Sequence, residues 1–119
     1  MKYCWTTIMV KNLEKSIAFY RDIVGLPLQR RFIAGPGSEI VFMGEGETQV
    51  ELIGRVGPEA SVGTAISLGF AVDSLDKMLA FIAEKGLKVE SGPFQPNDHI
   101  KFFYVLDPNG IRVQFSESF

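Results

Sequence analysis

Cysteine, histidine and tryptophan each occur once in this chain of 119 residues, as Cys4, His99 and Trp5. A single cysteine excludes an internal disulfide framework. A single histidine supplies no pair of imidazoles for a transition metal, and the sequence defines no Ser-His-Asp arrangement around it. Positive charge is also scarce. Twelve Lys and Arg against 14 Asp and Glu leave a net charge of −2 and a pI near 5.4, so the basic footprint that neutralises phosphates is missing and nucleic acid is not an expected partner. No charged segment leads into a long apolar run, so neither a signal peptide nor a membrane span is expected, and the cytoplasm is the expected location. What the chain does have is 46% hydrophobic residues with ten Phe, enough to fill the core of one ordinary domain over residues 1–119.

An internal repeat organises that domain. At an offset of 62, Val10 matches Val72, Leu13 matches Leu75, Lys15 matches Lys77, Ala18 matches Ala80 and Phe19 matches Phe81; Gly25-Leu26 then matches Gly86-Leu87 after one deletion. The punctuation recurs with the letters. Each half opens on a run rich in β-branched and aromatic residues, 3–10 and 66–72, which reads as a strand. A helix follows each. Asn12 and Ser74 are cap residues whose side-chain oxygens can accept free backbone N–H groups, and Gly25 and Gly86 stand where a left-handed residue ends a helix. Leu13, Ile17, Tyr20 and Val24, and then Leu75, Leu79 and Ile82, recur at helical spacing and give each helix one buried stripe.

The remainder reads as strands near 28–34, 39–43, 48–53, 88–91, 99–106 and 111–117, joined by turns at Gly35-Pro-Gly37, Gly44-Glu-Gly46 and Asp107-Pro-Asn-Gly110. The Gly- and Pro-bearing stretch at 54–64 reads as a linker between module 1, about 1–54, and module 2, about 65–119. The expected architecture is therefore α+β: two tandem β-α-β-β-β modules forming a curved mixed sheet around a cavity, with the helices on the outer face. Strand alternation places Trp5, Thr7 and Met9 on one face, with Gln49, Glu51 and Ile53, then Ser67, Gly69 and Ala71, then Arg112, Gln114 and Ser116. Val50, Leu52, Val113 and Phe115 fall on the opposite face, beneath the helices. Cys4 alternates away from the cavity and is expected to be a small buried residue. His99 sits at a strand start and reads as a surface or capping residue.

Val10-Lys-Asn-Leu-Glu-Lys-Ser-Ile-Ala-Phe-Tyr20 with Val24-Gly-Leu26, Val72-Asp-Ser-Leu75, and Asp107-Pro-Asn-Gly110 with Val113-Gln-Phe115 together resemble the vicinal oxygen chelate superfamily. That group includes glyoxalase I, bleomycin-resistance proteins, fosfomycin-resistance enzymes, methylmalonyl-CoA epimerase and extradiol dioxygenases. The resemblance implies a divalent metal held by four inward-facing side chains, one from the first and one from the last strand of each module. The matching positions here are Trp5, Glu51, Ser67 and Gln114. An indole has no in-plane lone pair and a serine hydroxyl is a weak ligand, leaving one carboxylate and one amide as donors. No cofactor is expected on that donor set; Zn, Ni, Mn or Fe would have to be held weakly, with water filling most positions.

The resemblance leaves three functions open. The first is a small-molecule-binding, antibiotic-resistance-like protein without a conventional metal site, its cavity lined by Trp5, Thr7, Glu51, Ser67, Arg112 and Gln114, with Trp5 either stacking on ligands or plugging the space a metal would take. The second is a lyase or isomerase of the lactoylglutathione lyase type, with Glu51 as the base that abstracts a proton beside a carbonyl. Against it, the first-strand position matching a basic glutathione-contacting residue of bacterial glyoxalase I is Met9. In the third, the open sheet face is an interaction surface only. Arg112 is the expected charge partner of Glu51, and a homodimer is expected because relatives pair modules within or between chains.

Overall fold

The computed structural model describes residues 1–57, 63 and 65–119. The chain divides into two compact units, residues 1–61 and 62–119, each, among the described residues, a four-stranded mixed sheet with one α-helix. In unit 1 the elements are β1 (Thr6–Met9), α1 (Leu13–Ala18), β2 (Leu28–Gly35), β3 (Ser38–Met43) and β4 (Val50–Arg55). Unit 2 repeats them as β5 (Ser67–Ala71), α2 (Leu75–Glu84), β6 (Ser91–Asn97), β7 (Ile100–Leu106) and β8 (Arg112–Ser118). The sheet orders are β1-β4-β3-β2 and β5-β8-β7-β6. The first and last strands of each unit pair in parallel and the other neighbours are antiparallel. Among the described residues no helix is long and apolar enough to cross a membrane.

The expected helix signals are present at both sites of the repeat. Asn12 accepts a hydrogen bond from the Lys15 N–H at 3.0 Å, and Ser74 accepts one from the Lys77 N–H at 3.2 Å. Gly25 and Gly86 hold φ of +84° and +76°, the left-handed geometry that other residues adopt only with strain. After Ala18 the first helix widens into a π-helical turn, Phe19–Ile23, so that Phe19 and Tyr20, adjacent in sequence, are both buried. In the second, Leu75 and Ile82 carry the buried stripe.

Each helix covers one face of its sheet, α1 packing on β4 and α2 on β8. Beneath α1 lie Ile8, Val41, Met43, Val50 and Leu52; beneath α2 lie Phe103, Val105, Val113 and Phe115, all buried. Gly54 lets α1 come close, since a Cβ there would meet the Leu13 Cβ at 3.0 Å. The Asp107-Pro-Asn-Gly110 turn is anchored from inside. Buried Asp107 accepts hydrogen bonds from the N–H groups of Asn109 at 2.7 Å and Ile111 at 2.8 Å, and from the Asn109 amide at 3.0 Å.

Three expectations need correction. The strand expected over 3–10 is confined to Thr6–Met9, which leaves Tyr3, Cys4 and Trp5 exposed ahead of it. Cys4 is accordingly an exposed thiol and not a buried one. The strand expected near 88–91 is instead Ser91–Asn97, carrying Pro93 and Pro96 at a sheet edge, where a missing N–H breaks no ladder bond. The last strand of module 1 runs to Arg55, and residues 58–62 and 64 of the expected linker lie outside the described residues.

Two stability predictions follow from these anchors. Asp107→Ala strips a buried turn of three hydrogen bonds and should lower the unfolding free energy by about 3 kcal/mol, whereas Asn12→Ala should cost about 1 kcal/mol. Urea denaturation monitored by circular dichroism measures both, and equal losses would show that Asp107 does not anchor the turn. On the helix face, Arg31 bridges Glu14 and Glu39. Its hydrogen bond, aided by charge attraction and opposed by desolvation, holds the Glu39 carboxyl below its ordinary value of 4.5. A lowered carboxyl pKa stabilises the fold above the unfolded value, and that contribution is lost as pH falls through the folded value. Arg31→Met should therefore be most costly near neutrality and cost progressively less below about pH 4.5; a difference that grows on acidification would refute the linkage.

Candidate functional site

The face of each sheet turned away from its helix carries the chemistry. In module 1 the register sets Thr7 beside Glu51, Glu51 beside Phe42 and Phe42 beside Arg30, one row across all four strands. The next row is Met9, Ile53, Ile40 and Phe32. The Thr7 hydroxyl donates to Glu51 Oε1 at 2.6 Å, and Glu51 is half-buried. Trp5 stands with its ring edge to Phe42, centroids 5.1 Å apart at 84°, and Phe32 lies nearly parallel to Phe42 at 6.5 Å. Above them the Arg30 guanidinium sits 4.2 Å from the Phe42 centroid. Phe42 is thus buried to 3% exposure on a face that no helix covers, while Trp5 and Phe32 each keep 40%.

Module 2 builds a second open face by the same register logic. Gly69, Gln114 and Tyr104 form one row, and Ala71, Ser116, Phe102 and Phe94 the next. Gln114 Nε2 donates to the Tyr104 hydroxyl at 3.0 Å, and the Ser116 hydroxyl donates to Gln114 Oε1 at 3.4 Å. Gly69 leaves room for this amide, because a Cβ there would meet Gln114 Oε1 at 3.3 Å. Arg112 lies opposite Ser67 and stacks on Tyr104 with its Cζ 3.8 Å from the ring centroid. It also reaches Glu90 at 3.3 Å and the Ser91 hydroxyl at 3.1 Å. The Ser91 hydroxyl first, and Arg112 in addition, hold the Glu90 carboxyl below the usual carboxylate range despite partial desolvation.

The structure therefore brings Trp5, Thr7 and Glu51 together on one open face, and Ser67, Arg112 and Gln114 on the other. The charge partner of Arg112 is Glu90, within its own module, and not Glu51 as expected; Glu51 takes Thr7 instead. His99 is exposed in the turn before β7, its N–H donating to Asn97 Oδ1 at 2.7 Å. Among the described residues no three His, Cys, Asp or Glu side chains gather closely enough to hold a metal ion. Sequence reasoning missed Arg30, Phe32 and Phe42 in module 1 and Phe94, Phe102 and Tyr104 in module 2. Their alternation was available in the sequence, but the cross-strand register that sets Phe42 beside Glu51 and Tyr104 beside Gln114 was not.

Comparison with known proteins supports the same fold. A family model described as Glyoxalase/Bleomycin resistance protein/Dioxygenase superfamily matches residues 2–115. The uncharacterized protein YraH of Bacillus subtilis (strain 168) is 34% identical over 127 residues, covering 95% of this chain and 97% of that one. The lactoylglutathione lyase of Neisseria meningitidis serogroup A is 30% identical over 124 residues, covering 97% and 89%. Among solved structures, TnmS3, an antibiotic binding protein from Streptomyces sp. CB03234, aligns over 100% of this chain and 97% of its own with a TM-score of 0.78 and 20% identity, a likeness of fold. With two βαβββ modules in place and a family model matched along nearly its whole length, the chain belongs to the glyoxalase/bleomycin resistance protein/dioxygenase superfamily.

Proposed function

We propose that this protein binds a small molecule on its open sheet faces and does not depend on the divalent metal that its enzymatic relatives use. The observation that carries this reading is the aromatic group on module 1. Trp5, at a position where the family resemblance implies a metal ligand, packs its edge on Phe42 beside Phe32, so an aromatic cluster stands where an imidazole would be expected. The donor set points the same way. One oxygen of Glu51 receives the Thr7 hydroxyl, the Gln114 amide is engaged on both ends by Tyr104 and Ser116, and Trp5 and Ser67 offer nothing a transition metal prefers. These residues do not fit a closed nickel or zinc site. The antibiotic-binding character of TnmS3 is consistent with this use of the fold.

A second reading, a lactoylglutathione lyase-type enzyme with Glu51 as base, is favoured by one observation: Glu51 stands half-buried on the open face of a chain 30% identical to such a lyase. It lacks the electrophile that would stabilise an enediolate, the larger electrostatic task. We also propose a homodimer, because relatives pair modules within or between chains; sedimentation gives the mass directly.

Two measurements decide between the readings. Because Trp5 is the only tryptophan, its emission should change saturably when the protein is titrated with small aromatic compounds, and metal analysis after equilibration with nickel or zinc should find well under one ion per chain. Stoichiometric metal, or hemithioacetal turnover abolished by a chelator, would overturn the binding reading. Glu51→Gln then separates base from lining residue: a base costs roughly 100-fold or more in turnover, whereas a lining carboxylate leaves the affinity for a neutral ligand within about threefold, roughly the worth of a weak polar contact.

A further inference from the structure

Each open face carries a guanidinium stacked on an aromatic ring, and the two differ in what neutralises them. Arg112, on Tyr104, has the Glu90 carboxylate at 3.3 Å. Arg30, 4.2 Å from the Phe42 centroid and 5.7 Å from that of Phe32, has no carboxylate: among the described residues the ion pairs are Arg21 with Asp22, Arg31 with Glu14 and with Glu39, and Arg112 with Glu90. Its stacking contacts are its only interactions there. A guanidinium held over a ring face is drawn to it and keeps N–H donors for an anion. Such a fork matches a planar carboxylate in shape and charge.

The surroundings of Arg30 define what else the ligand must carry. Trp5 and Phe32 flank the same ring, each with 40% of its surface free, so an apolar, flat body gains contact on either side. Glu51 stands in the same cross-strand row with Phe42 between them, roughly 10 Å from Arg30 at two strand spacings. A second anion at that far end would meet a carboxylate. We propose that the open face of module 1 takes planar aromatic monoanions, with the acid group on the edge of Arg30 and the ring system against Trp5 and Phe32. This rests on the reading of that face as a ligand site and adds the charge and shape of the ligand.

The test is calorimetry with three probes that share one ring system: 2-naphthoate, its neutral amide and naphthalene-2,6-dicarboxylate. The wild-type protein should bind the naphthoate about tenfold more tightly than the amide, as a charge-assisted pair predicts. Arg30→Met should reduce that preference to less than about twofold while amide binding changes little, and Arg30→Lys, which keeps the charge without the planar stack, should fall between. Trp5→Ala should weaken acid and amide alike. The dicarboxylate should bind more weakly than the monoacid, and Glu51→Gln should remove that handicap. Thermal melts of the variants confirm that the exposed substitutions leave the fold intact. Equal binding of acid and amide, or an acid preference that survives Arg30→Met, overturns the proposed ligand class yet leaves the binding face standing. Tighter binding of the dicarboxylate overturns the limit to one charge. If none of the three probes binds and Trp5 emission stays silent toward the aromatic compounds, the ligand face itself falls.

Discussion

Two parallel strands cannot be joined by a tight turn; the chain between them must cross over, and whatever lies in the crossover has to pack somewhere. In this protein β1 pairs with β4, and β5 with β8, in parallel, and between each pair lie a helix and two further strands. The helix lands on one face. Its buried stripe, Ile17 and Tyr20 in one module and Leu75 and Ile82 in the other, fixes that face as the hydrophobic side, and the two intervening strands simply extend the sheet outward. The opposite face is left bare by topology. The candidate site follows from that asymmetry, because the bare face is where polar and aromatic side chains can be placed without disturbing the core.

The same pairing explains why the two modules correspond position by position. Thr7 lies opposite Glu51 and Gly69 opposite Gln114, pairs related by 62 residues on the first strand and 63 on the last. The parallel register sets these pairs in both modules, so the positions persist when their occupants change. The Trp5 indole stands just ahead of β1, where the resemblance implies a metal ligand. It supplies a large ring whose edge meets Phe42, and that contact, with Arg30 above, buries an aromatic on a face that would otherwise be wet.

Much of this was legible in the sequence, and the limits have physical causes. Helix starts and stops are local events, decided by an Asn or Ser oxygen and a glycine, so Asn12, Ser74, Gly25 and Gly86 read correctly. Burial beneath the helices follows from a period of two, and Val50, Leu52, Val113 and Phe115 are indeed buried. Register is different, because it depends on residues far apart in the chain. Without it the pairing of Arg112 with Glu90 could not be seen, nor could the row that places Arg30 across Phe42 from Glu51. Edge strands are similarly hard to read: β6 holds Pro93 and Pro96, a composition typical of a turn, and only its edge position makes a strand of it. Cys4 was misplaced for a related reason. A β-rich run extends beyond the last residue that has a partner strand, and the strand ends where the partner does.

Comparing the modules shows which positions the fold constrains and which it leaves free. Identities cluster in the helical segments, Leu13 with Leu75, Lys15 with Lys77, Ala18 with Ala80 and Phe19 with Phe81, of which Phe19 and Leu75 are buried and the two lysines exposed, and the caps and terminal glycines recur with them. The open faces differ at most corresponding positions, Trp5 against Ser67, Thr7 against Gly69, Met9 against Ala71 and Glu51 against Gln114, while Phe32 matches Phe94. A core position answers to packing in both modules, where a change of even one methylene is felt. An open-face position answers only to its neighbours in the row and to whatever meets it from outside. Module 2 has settled that demand internally, since Glu90, Ser91 and Tyr104 engage Arg112 while Tyr104 and Ser116 engage Gln114. Module 1 has not: it holds a stacked cation and a carboxylate in one row with an aromatic between them, two opposite charges kept apart on one face. Such a separation is electrostatically unfavourable compared with a direct pair, and the cost is offset when a ligand supplies the missing anion.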